Sequence, residues 1–511
     1  MNGATLPGLA TRAYPALEQL FGRLRAIGDA SGILGWDAQT LMPVGAAEGR
    51  AEQLATLRGL AHDLLVAPLT ADLLDDAEAD GLDLDAWQSA NLREMRRVHA
   101  HGAAVPHDLV VAESKATSRA EMAWREARAG NDFASLRPHL EEVLRLQRET
   151  GRCKGGALGL EVYDALLDQY DPGLRRSRID PLFGQLRAEL PGLIREARAL
   201  QERAGAPVPI AGTFPVAAQR ALGETLMRAV GFDFDRGRLD TSLHPFCGGA
   251  TGDVRITTRY SEDDFSRAAM GVLHETGHAL YEQGRPQQWR RQPVGDARGM
   301  VLHESQSLLI EMQACRSREF LAYLSPVVQA AFGRNDAALG ADNLYRLYTR
   351  VEPGFIRVDA DEVTYPAHIL LRYDLERAMI DGDLAVADLP SAFADGVHEL
   401  LGLTVRDDAM GCLQDIHWPS GGWGYFPTYT LGAITAAQLF EAASAAVPAI
   451  RPGLAQGDFR PLVAWLRTEV HGRGSLLSTD DLVAAATGRP MGIDSYLGHL
   501  RRRYLGETAG P

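Results

Sequence analysis

Three things are scarce in this chain of 511 residues: cysteine, long apolar runs and positive charge. The four cysteines are scattered without a CxxC pair, which excludes a disulfide framework or a zinc knuckle and indicates thiols in a reducing compartment. No stretch approaches the roughly 20 apolar residues of a membrane span. Lys and Arg number 52 against 67 Asp and Glu, a net charge of −15, which argues against binding nucleic acid or acidic membranes.

Signals for targeting and for division into domains are also missing. The first residues, Met1–Pro7, lack both a basic start and an apolar run, so we expect no signal peptide and a soluble, cytoplasmic protein. No Pro/Gly/Ser-rich linker, low-complexity tract or fixed-period repeat interrupts the chain. We therefore expect residues 1–511 to form one large domain with two lobes, long enough to bury an ample core.

Helical periodicity is what the chain has in quantity. Apolar residues recur at three- and four-residue spacing among Arg, Glu and Ala, and turn residues separate the runs. The predicted helices are Leu9–Ala30, Gly45–Val66, Phe133–Gly151, Pro181–Ala204, Asp296–Leu324, Thr364–Ile380, Leu389–Leu401 and Tyr429–Ala446, with a further short helix capped at Ser478. Strand signal is confined to the alternating Asp253–Tyr260 and the weaker Ile356–Val358. This pattern predicts an all-α fold with a small β-sheet beside the helix expected over residues 263–284.

The segment His274–His278, which reads HETGH, carries the clearest chemical signal. Residues four apart lie on one face of a helix, so the imidazoles of His274 and His278 can reach the same metal ion. Glu275 can take the proton of a water at the metal's open position, which is the HExxH arrangement of zinc peptidases. A pair of structural histidines is the alternative. Acidic caps and a closing glycine favour the metal site, because they predict a helix over residues 263–284.

A catalytic zinc site usually takes one more protein ligand and leaves the fourth position to water. The candidates are His303, Glu304 and Glu311, on a helix predicted over residues 296–324. A glutamate on a second helix, some tens of residues beyond HExxH, is the pattern of gluzincin peptidases, so we expect Glu304 to be the ligand. A solvated carboxylate on the helix face is the alternative for Glu304, and His303 suits a contact with a ligand or with substrate.

At this point the chain resembles the M32 family of metallocarboxypeptidases, the thermostable carboxypeptidase type. The resemblance depends on six ordered motifs: the HETGH segment, HPF at His244–Phe246, DVRIT at Asp253–Thr257, HESQ at His303–Gln306, IRVDAD at Ile356–Asp361 and GCLQDIHW at Gly411–Trp418. Looser likeness extends it over nearly the whole chain. One departure is the segment Cys247–Ala250, where loops bearing Ser and Pro are more usual, and it would alter the rim of the cleft.

The resemblance implies a saddle-shaped, zincin-like helical fold with a deep groove, related to neurolysin and angiotensin-converting enzyme. It also implies a homodimer and one Zn²⁺ per chain, with Co²⁺ as a common functional substitute. The activity that it implies is removal of single C-terminal residues from peptides with broad specificity.

An exopeptidase of this kind must recognise a free α-carboxylate, for which arginine is suited because it is always charged and binds bidentately. The candidates are Arg255 and Arg357, with Arg357 preferred; for each, a salt bridge to the aspartate two residues away is the alternative. His244 is a candidate for lining the substrate pocket, and a turn that packs Phe246 is its alternative reading.

The tetrahedral intermediate of peptide hydrolysis needs hydrogen-bond donors aimed at its oxyanion. The segment from His417 to Tyr429 resembles the one that brings a histidine and tyrosines over the metal in neurolysin-like and converting-enzyme-like peptidases. It offers His417, Tyr425 and Tyr429, without indicating which tyrosine acts. Trp418 and Trp423 in the same segment are expected to be aromatic core.

The sequence therefore predicts a zinc-dependent carboxypeptidase that acts on peptides with a free C-terminus, with Glu275 as general base. Two other functions stay open at this point. An oligoendopeptidase of related helical type would cleave C-terminally amidated peptides as well. A peptide-binding protein that has lost catalysis would have no reason to retain His274, Glu275, His278 and Glu304 together.

Overall fold

A computed structural model describes residues 13–79 and 83–507 of the chain. Met1–Pro7 and the expected helix start at Leu9 lie outside the described residues. The all-α prediction is confirmed. The described helices are α1 Ala13–Thr40, α2 Ala47–Val66, α3 Pro68–Ala79, α4 Ala86–Ala103, α5 His107–Gly130, α6 Phe133–Leu158, α7 Val162–Asp168, α8 Arg176–Ala204, α9 Val216–Val230, α10 Phe265–Gly284, α11 Met300–Leu308, α12 Arg318–Phe332, α13 Ala341–Tyr348, α14 Tyr365–Asp381, α15 Leu389–Leu401, α16 Pro427–Ala446, α17 Ile450–Leu454, α18 Arg460–Glu469, α19 Thr479–Thr487 and α20 Asp494–Leu500.

The small β-sheet lies beside α10, as expected. Its strands are β1 Gly237–Thr241, β2 Cys247–Ala250 and β3 Asp253–Thr258, in the order β1-β3-β2. β1 runs parallel and β2 antiparallel to β3. Val254 and Ile256 of β3 share a buried cluster with Val272 and Ala279 of α10, so the sheet and α10 are packed together. The Cys247–Ala250 segment, where the chain departs from the family pattern, forms the edge strand β2.

The hydrophobic core is divided. Most buried apolar side chains, from α6 to α20, belong to one large cluster. A second cluster joins α1, α3 and α4 near the start of the chain. Helix α2 has no buried residue, and α5 buries only Leu109 and three alanines. Helix α5 was not predicted, because alanines contribute little to hydrophobic periodicity.

Two predicted elements are wrong in detail. The helix expected over Asp296–Leu324 begins only at Met300, because Gly299 before it takes the left-handed backbone (φ 89°). The same segment then forms a π-helical turn, Leu309–Cys315, and ends before Ser317, whose side chain caps α12. Ile356–Val358 is no strand: Arg357–Asp359 form a 3-10 turn, and the Arg357 amide donates to the side chain of Gln414 (2.8 Å).

All four cysteine thiols are free; Cys315 and Cys412 are buried, and Cys153 and Cys247 are partly buried. Among the described residues, no helix combines the length and apolar character needed to cross a membrane.

Candidate metal centre and substrate cavity

Helix α10 places the histidines of the HETGH segment side by side. Asp264 caps its N-terminus by accepting from the Ser266 amide (2.8 Å), and the helix ends at Gly284, both as predicted. Thirteen of its twenty residues are buried, so α10 is fixed within the core. The rings of His274 and His278 lie 5.1 Å apart on the same face.

Helix α11 brings Glu304 to the histidine pair. Its carboxylate oxygens lie 3.8 Å from His274 Nε2 and 3.5 Å from His278 Nε2. One ligand atom from each of these three residues lies within 4.8 Å of the others, which is the spacing of a metal site.

Two glycines let α11 approach its neighbours this closely. A Cβ on Gly277 of α10 would lie 2.6 Å from Ser307 Cα, and a Cβ on Gly432 of α16 would lie 2.8 Å from Glu304 Cβ. Both distances are closer than real Cβ atoms come to their neighbours. The third candidate ligand is therefore held between two helices that carry no side chain at the contact.

The second ring nitrogen of each histidine is engaged away from Glu304. His274 Nδ1 lies 2.9 Å from Glu311 Oε2, and Arg316 in turn donates to Glu311. His278 Nδ1 lies 2.7 Å from His303 Nδ1. Donation through both Nδ1–H groups leaves both Nε2 atoms facing Glu304, which is how metal-ligating histidines are oriented. These orienting groups were not identified from the sequence.

His303 is itself held by a carboxylate. His303 Nε2 lies 3.1 Å from Glu282 Oε1, and Arg285 donates to the other oxygen of Glu282 (2.8 Å). Burial opposes ionisation of Glu282, but Arg285 and His303 lower its pKa to about 2. An ionised Glu282 accepts from His303, so His303 Nδ1 can accept from His278.

The charges at the centre give the two imidazoles different pKa values, and they affect the pKa of Glu275, the candidate general base. Burial lowers the pKa of His278 to about 4. Burial also acts to lower the pKa of His274, but Glu311 and Glu304 raise it to about 10. Burial raises the pKa of Glu275 to about 7, against the effect of His274 and with that of Glu304. A carboxyl group of this pKa exchanges protons near neutral pH.

These groups open into a cavity of about 650 Å³. One side of it, called here the metal wall, consists of His274, Glu275, His278 and Glu304. A second group of lining residues, called the arginine wall, consists of Arg357, Tyr365, Tyr425 and Tyr429. The remaining lining residues include Pro245, Phe246, Cys247, Met312, Gln313, Arg316, Val358 and Glu362.

Arg357 is buried on the arginine wall and is held from two sides. Its Nε and Nη2 donate to Asp415 Oδ1 (2.9 and 2.8 Å), and its Nη1 donates to the Tyr365 hydroxyl (2.9 Å). The aspartate two residues away, the predicted partner, pairs instead with Arg267. Asp415 also accepts from Arg372 (2.6 Å), so one carboxylate serves two guanidinium groups.

This sharing leaves a positive charge on the arginine wall. Burial opposes ionisation of Asp415, but Arg372 and Arg357 lower its pKa below the ordinary value. His417 adds no charge at neutral pH, because burial, reinforced by Arg357, lowers its pKa to about 4. Two arginines against one aspartate give a net charge of +1 at the arginine wall.

His417 lies behind the two tyrosines. Its Nε2 is 3.3 Å from the Tyr429 hydroxyl, and its ring centroid is 6.0 Å from that of Tyr425. Burial raises the pKa of Tyr425, and the largest charge acting on it is that of Glu304. The structure therefore brings all three residues to one side of the cavity. Trp418 and Trp423 are buried, as expected for aromatic core.

Two sequence candidates lie away from the reaction site. Arg255 donates to Asp253 (2.5 to 3.1 Å) and lies over the ring of Trp36, so the salt bridge considered as its alternative is present. His244 is exposed at the rim, and its carbonyl accepts from Ser242 Oγ (2.5 Å). Only its neighbours Pro245 and Phe246 line the cavity.

Several groups at the site were missed from the sequence. Tyr365 and Asp415 hold Arg357, and Arg372 shares Asp415, yet only Asp415 lay in a motif that could have indicated it. Arg316 lines the cavity and lies within the helix predicted over Asp296–Leu324, where a basic residue five positions after Glu311 was the available signal.

The fold is helical, and two imidazoles, a carboxylate suited to bind a metal and a neighbouring glutamate line its cavity. These features define a protein of the helical metallopeptidase class. The chain belongs to the family described as carboxypeptidase Taq (M32) metallopeptidase, whose model matches residues 16–504. It is a metal-dependent carboxypeptidase that acts on peptides. The endopeptidase and binding-protein alternatives are not favoured.

Relatives and solved structures agree over nearly the full length. Thermostable carboxypeptidase 1 of Thermus thermophilus is 37% identical, with 96% of this chain and 98% of the relative covered. The structure of Trypanosoma cruzi metallocarboxypeptidase 1 superposes with a TM-score of 0.95 at 40% identity, covering 96% of this chain and 99% of the other. For the M32 carboxypeptidase of Deinococcus radiodurans the TM-score is 0.92 at 36% identity, with coverage of 96% and 98%.

Proposed function

We propose that this chain is a zinc carboxypeptidase that releases single C-terminal residues with broad specificity, and that His274, His278 and Glu304 hold the metal. The observation that carries the proposal is the cavity itself, which has a His₂Glu donor set on one wall and a buried, net positive arginine cluster on the other. The first arrangement suits hydrolysis, and the second suits a substrate that ends in a carboxylate.

The donor set fits a divalent metal of borderline character. Two neutral imidazoles and a carboxylate are the ligands of catalytic zinc sites, and Co²⁺ accepts the same set. Hydrogen bonds from both Nδ1 atoms orient the two Nε2 atoms toward Glu304, and the proton that the raised pKa keeps on His274 would leave when a metal binds. When bound, the metal would polarise the scissile carbonyl and lower the pKa of the attacking water.

Glu275 moves the proton. Its side chain lines the cavity, and in the sequence it lies between the two histidines proposed as ligands. Its raised pKa suits a group that gains and loses a proton near neutral pH. In this proposal a Glu275 carboxylate oxygen takes a proton from the attacking water and then hands it to the leaving amine.

Arg357 recognises the C-terminal carboxylate. It lines the same cavity as the proposed metal ligands, and its guanidinium is pre-oriented by Asp415 and Tyr365. Because Asp415 also serves Arg372, the pair of arginines keeps one positive charge for a substrate anion. A preorganised guanidinium costs little reorganisation on binding. Arg255 is not proposed for this role, since Asp253 and Trp36 occupy it.

Tyr425 stabilises the oxyanion, with His417 beside it. Tyr425 and Tyr429 both line the cavity, and the hydroxyl of Tyr429 lies within hydrogen-bond distance of His417. Neutral His417 can accept from Tyr429 or donate to it, so Tyr429 supports the pair. A pocket-lining role for His244 stays a prediction.

The oligomeric state and the cellular location are proposed from the family resemblance and from the cysteines. The family resemblance supports a homodimer and one peptidase domain. Four free thiols support a reducing, cytoplasmic location.

The experiment is product mass spectrometry on one peptide in two forms, with a free and with an amidated C-terminus. Metal-loaded protein is compared with chelator-treated protein. We expect stepwise loss of C-terminal residues from the free peptide only, and only with metal. Internal cleavage of both forms would contradict the single-residue activity, and equal trimming of both would contradict recognition by Arg357.

A further inference from the structure

One buried carboxylate near the cavity has no role in the chemistry described so far. Glu376 on α14 is fully buried (0% exposed) and accepts three hydrogen bonds. Its Oε1 accepts from the Tyr163 hydroxyl (2.7 Å) and the Gly424 amide (2.5 Å), and its Oε2 accepts from Trp418 Nε1 (2.8 Å). All of these donors are neutral.

A carboxylate in this position is costly to the fold. In the part of the chain that the structure describes, no Lys, Arg or His forms an ion pair with Glu376. Burial raises its pKa to about 7, against the lowering effect of the three donors. A buried carboxylate without a counter-charge destabilises a protein. The positions of its three donors indicate what Glu376 contributes in return.

Two of the three donors lie at the ends of one short loop. Trp418 directly follows His417, and Gly424 directly precedes Tyr425. Between them runs Pro419–Trp423, which contains two adjacent glycines and so has little stiffness of its own. One carboxylate thus holds the backbone next to each of the two groups proposed to face the oxyanion.

Gly424 shows how closely this loop is seated. It takes a left-handed backbone (φ 89°), and a Cβ there would lie 2.7 Å from the carbonyl oxygen of Leu166 on α7. Gly424 thus contacts α7 closely while its backbone amide donates to Glu376. The same helix supplies Tyr163, the third donor to Glu376, so the loop is held by contacts with both α7 and α14.

Helix α14 holds the rest of the arginine wall in the same way. Tyr365 at its start contacts Arg357, Arg372 one turn before Glu376 holds Asp415, and Glu376 holds the loop. Three side chains of one helix therefore fix the carboxylate-binding and the oxyanion-binding groups relative to each other.

We propose that Glu376 is a positioning residue for peptide hydrolysis, whose carboxylate fixes both ends of the loop that carries His417 and Tyr425. The inference rests on the proposed function of those two residues. It differs from a role in folding alone, because it requires a loss in kcat that is not accompanied by loss of metal or of substrate binding.

The main test is Glu376→Gln, which keeps the size of the side chain. An amide can accept from Tyr163 and Gly424 through its oxygen, but its NH₂ group then faces the Trp418 N–H, and that tie is lost. We expect kcat to fall by about 10- to 100-fold, since a small misplacement of a catalytic group has effects of that size. We expect KM for the free peptide and the bound metal per chain to stay unchanged.

A second variant reaches the same tie from the loop. Trp418→Phe removes the donor to Oε2 and leaves Glu376 in place, so it answers the question if Glu376→Gln does not fold. The two changes break one interaction, so the double variant is expected to be no slower than the slower single variant. Tyr163→Phe is the matched control: it removes a hydrogen bond to Glu376 that does not involve the loop, and kcat should stay at the level of the unchanged protein.

The outcomes separate this inference from the proposed function. His417→Asn and Tyr425→Phe are measured alongside. If they lower kcat and folded Glu376→Gln and Trp418→Phe do not, Glu376 has no positioning role. If neither His417→Asn nor Tyr425→Phe lowers kcat, the oxyanion assignment fails, and the positioning role is overturned with it. A raised KM or lost metal in Glu376→Gln would overturn it in favour of a general structural role.

Discussion

The metal wall of the cavity comes from a short stretch of chain, whereas the arginine wall is assembled from distant segments. His274, Glu275, His278 and Glu304 lie on α10 and α11, within about one tenth of the sequence. Arg357, Tyr365 and Tyr429 belong to a 3-10 turn, α14 and α16, and depend on Asp415 from a further loop. Local helix geometry fixes the first wall, and tertiary packing fixes the second.

The walls also differ in charge. Carboxylates gather around the metal wall, where Glu275, Glu304 and Glu311 lie near the imidazoles of His274, His278 and His303 and near Arg316. The arginine wall keeps one positive charge more than Asp415 can balance. A peptide with a free C-terminus would therefore be oriented with its carboxylate away from the metal-side acids and its last peptide bond toward the metal ligands.

The largest effect is expected from Glu275→Gln on the metal wall. The amide cannot take a proton, so kcat should fall by about three to four orders of magnitude. The three proposed ligands are unchanged, so the metal content per chain should stay the same. Peptide release and elemental analysis on one preparation check both statements. Residual activity above a tenth would contradict the role of general base.

The next effect concerns the arginine wall. Arg357→Gln removes the charge and should lower kcat/KM for a free peptide by about 100-fold, and the amidated peptide should stay uncleaved. The smaller comparison is Arg255→Gln, which breaks a partly exposed salt bridge to Asp253 instead. Steady-state kinetics on both peptide forms check this, and an equal loss for both variants would contradict the assignment to Arg357.

The metal wall has a weaker point at Glu311. Glu311→Gln keeps an acceptor for His274 but removes the charge shared with Arg316, so we expect metal affinity to weaken by about 10- to 100-fold. Titration against a chelator of known affinity measures this. An unchanged affinity, with His274 still required for activity, would show that Glu311 does not orient the ligand.

The metal wall and the arginine wall also differ in how well the sequence predicts their residues. The i, i+4 spacing of the histidines and the carboxylate on the next helix are local, and they identified three side chains that the structure brings together. The orienting role of Glu311 was missed because it lies in the π-helical turn Leu309–Cys315, where the spacing of faces differs from that of an α-helix.

On the arginine wall the sequence could offer only candidates. Arg357 was expected to pair with Asp359 if it was structural, because short separation is what a sequence shows. The structure pairs it with Asp415, 58 residues away, and pairs Asp359 with Arg267. Nothing periodic links Arg357 to Arg372 or Asp415, so their meeting depends on how α14 packs.

The smallest expected effect concerns an anchor of the metal wall. Asp171 is buried, and it accepts from the Val301 amide at the start of α11 (2.9 Å) and from Thr479 (2.8 Å). Burial raises its pKa from 3.8 to about 7, against those two hydrogen bonds. The folded protein then binds this proton more tightly than the unfolded chain does. The resulting stabilisation is complete below pH 3.8 and is lost as the pH rises through 7.

Asp171→Asn cannot titrate, so its Tm should be further below that of the unchanged protein near pH 5 than near pH 8. Thermal unfolding of both proteins at the two pH values measures the difference. A gap that stays constant or widens with pH would show that Asp171 is ionised in the folded protein throughout this range.

The two glycines on either side of α11 set a limit on the sequences that can carry this site. Gly277 and Gly432 contribute no group to the chemistry, yet a methyl group at either position would act as a wedge against Ser307 or Glu304. In a saturation library these two positions should tolerate fewer substitutions than many residues that line the cavity. The close approach of α10 and α16 to α11 thus depends on the absence of a side chain at these two positions. A substitution at either one would displace the helix that carries Glu304, although neither glycine takes part in the chemistry.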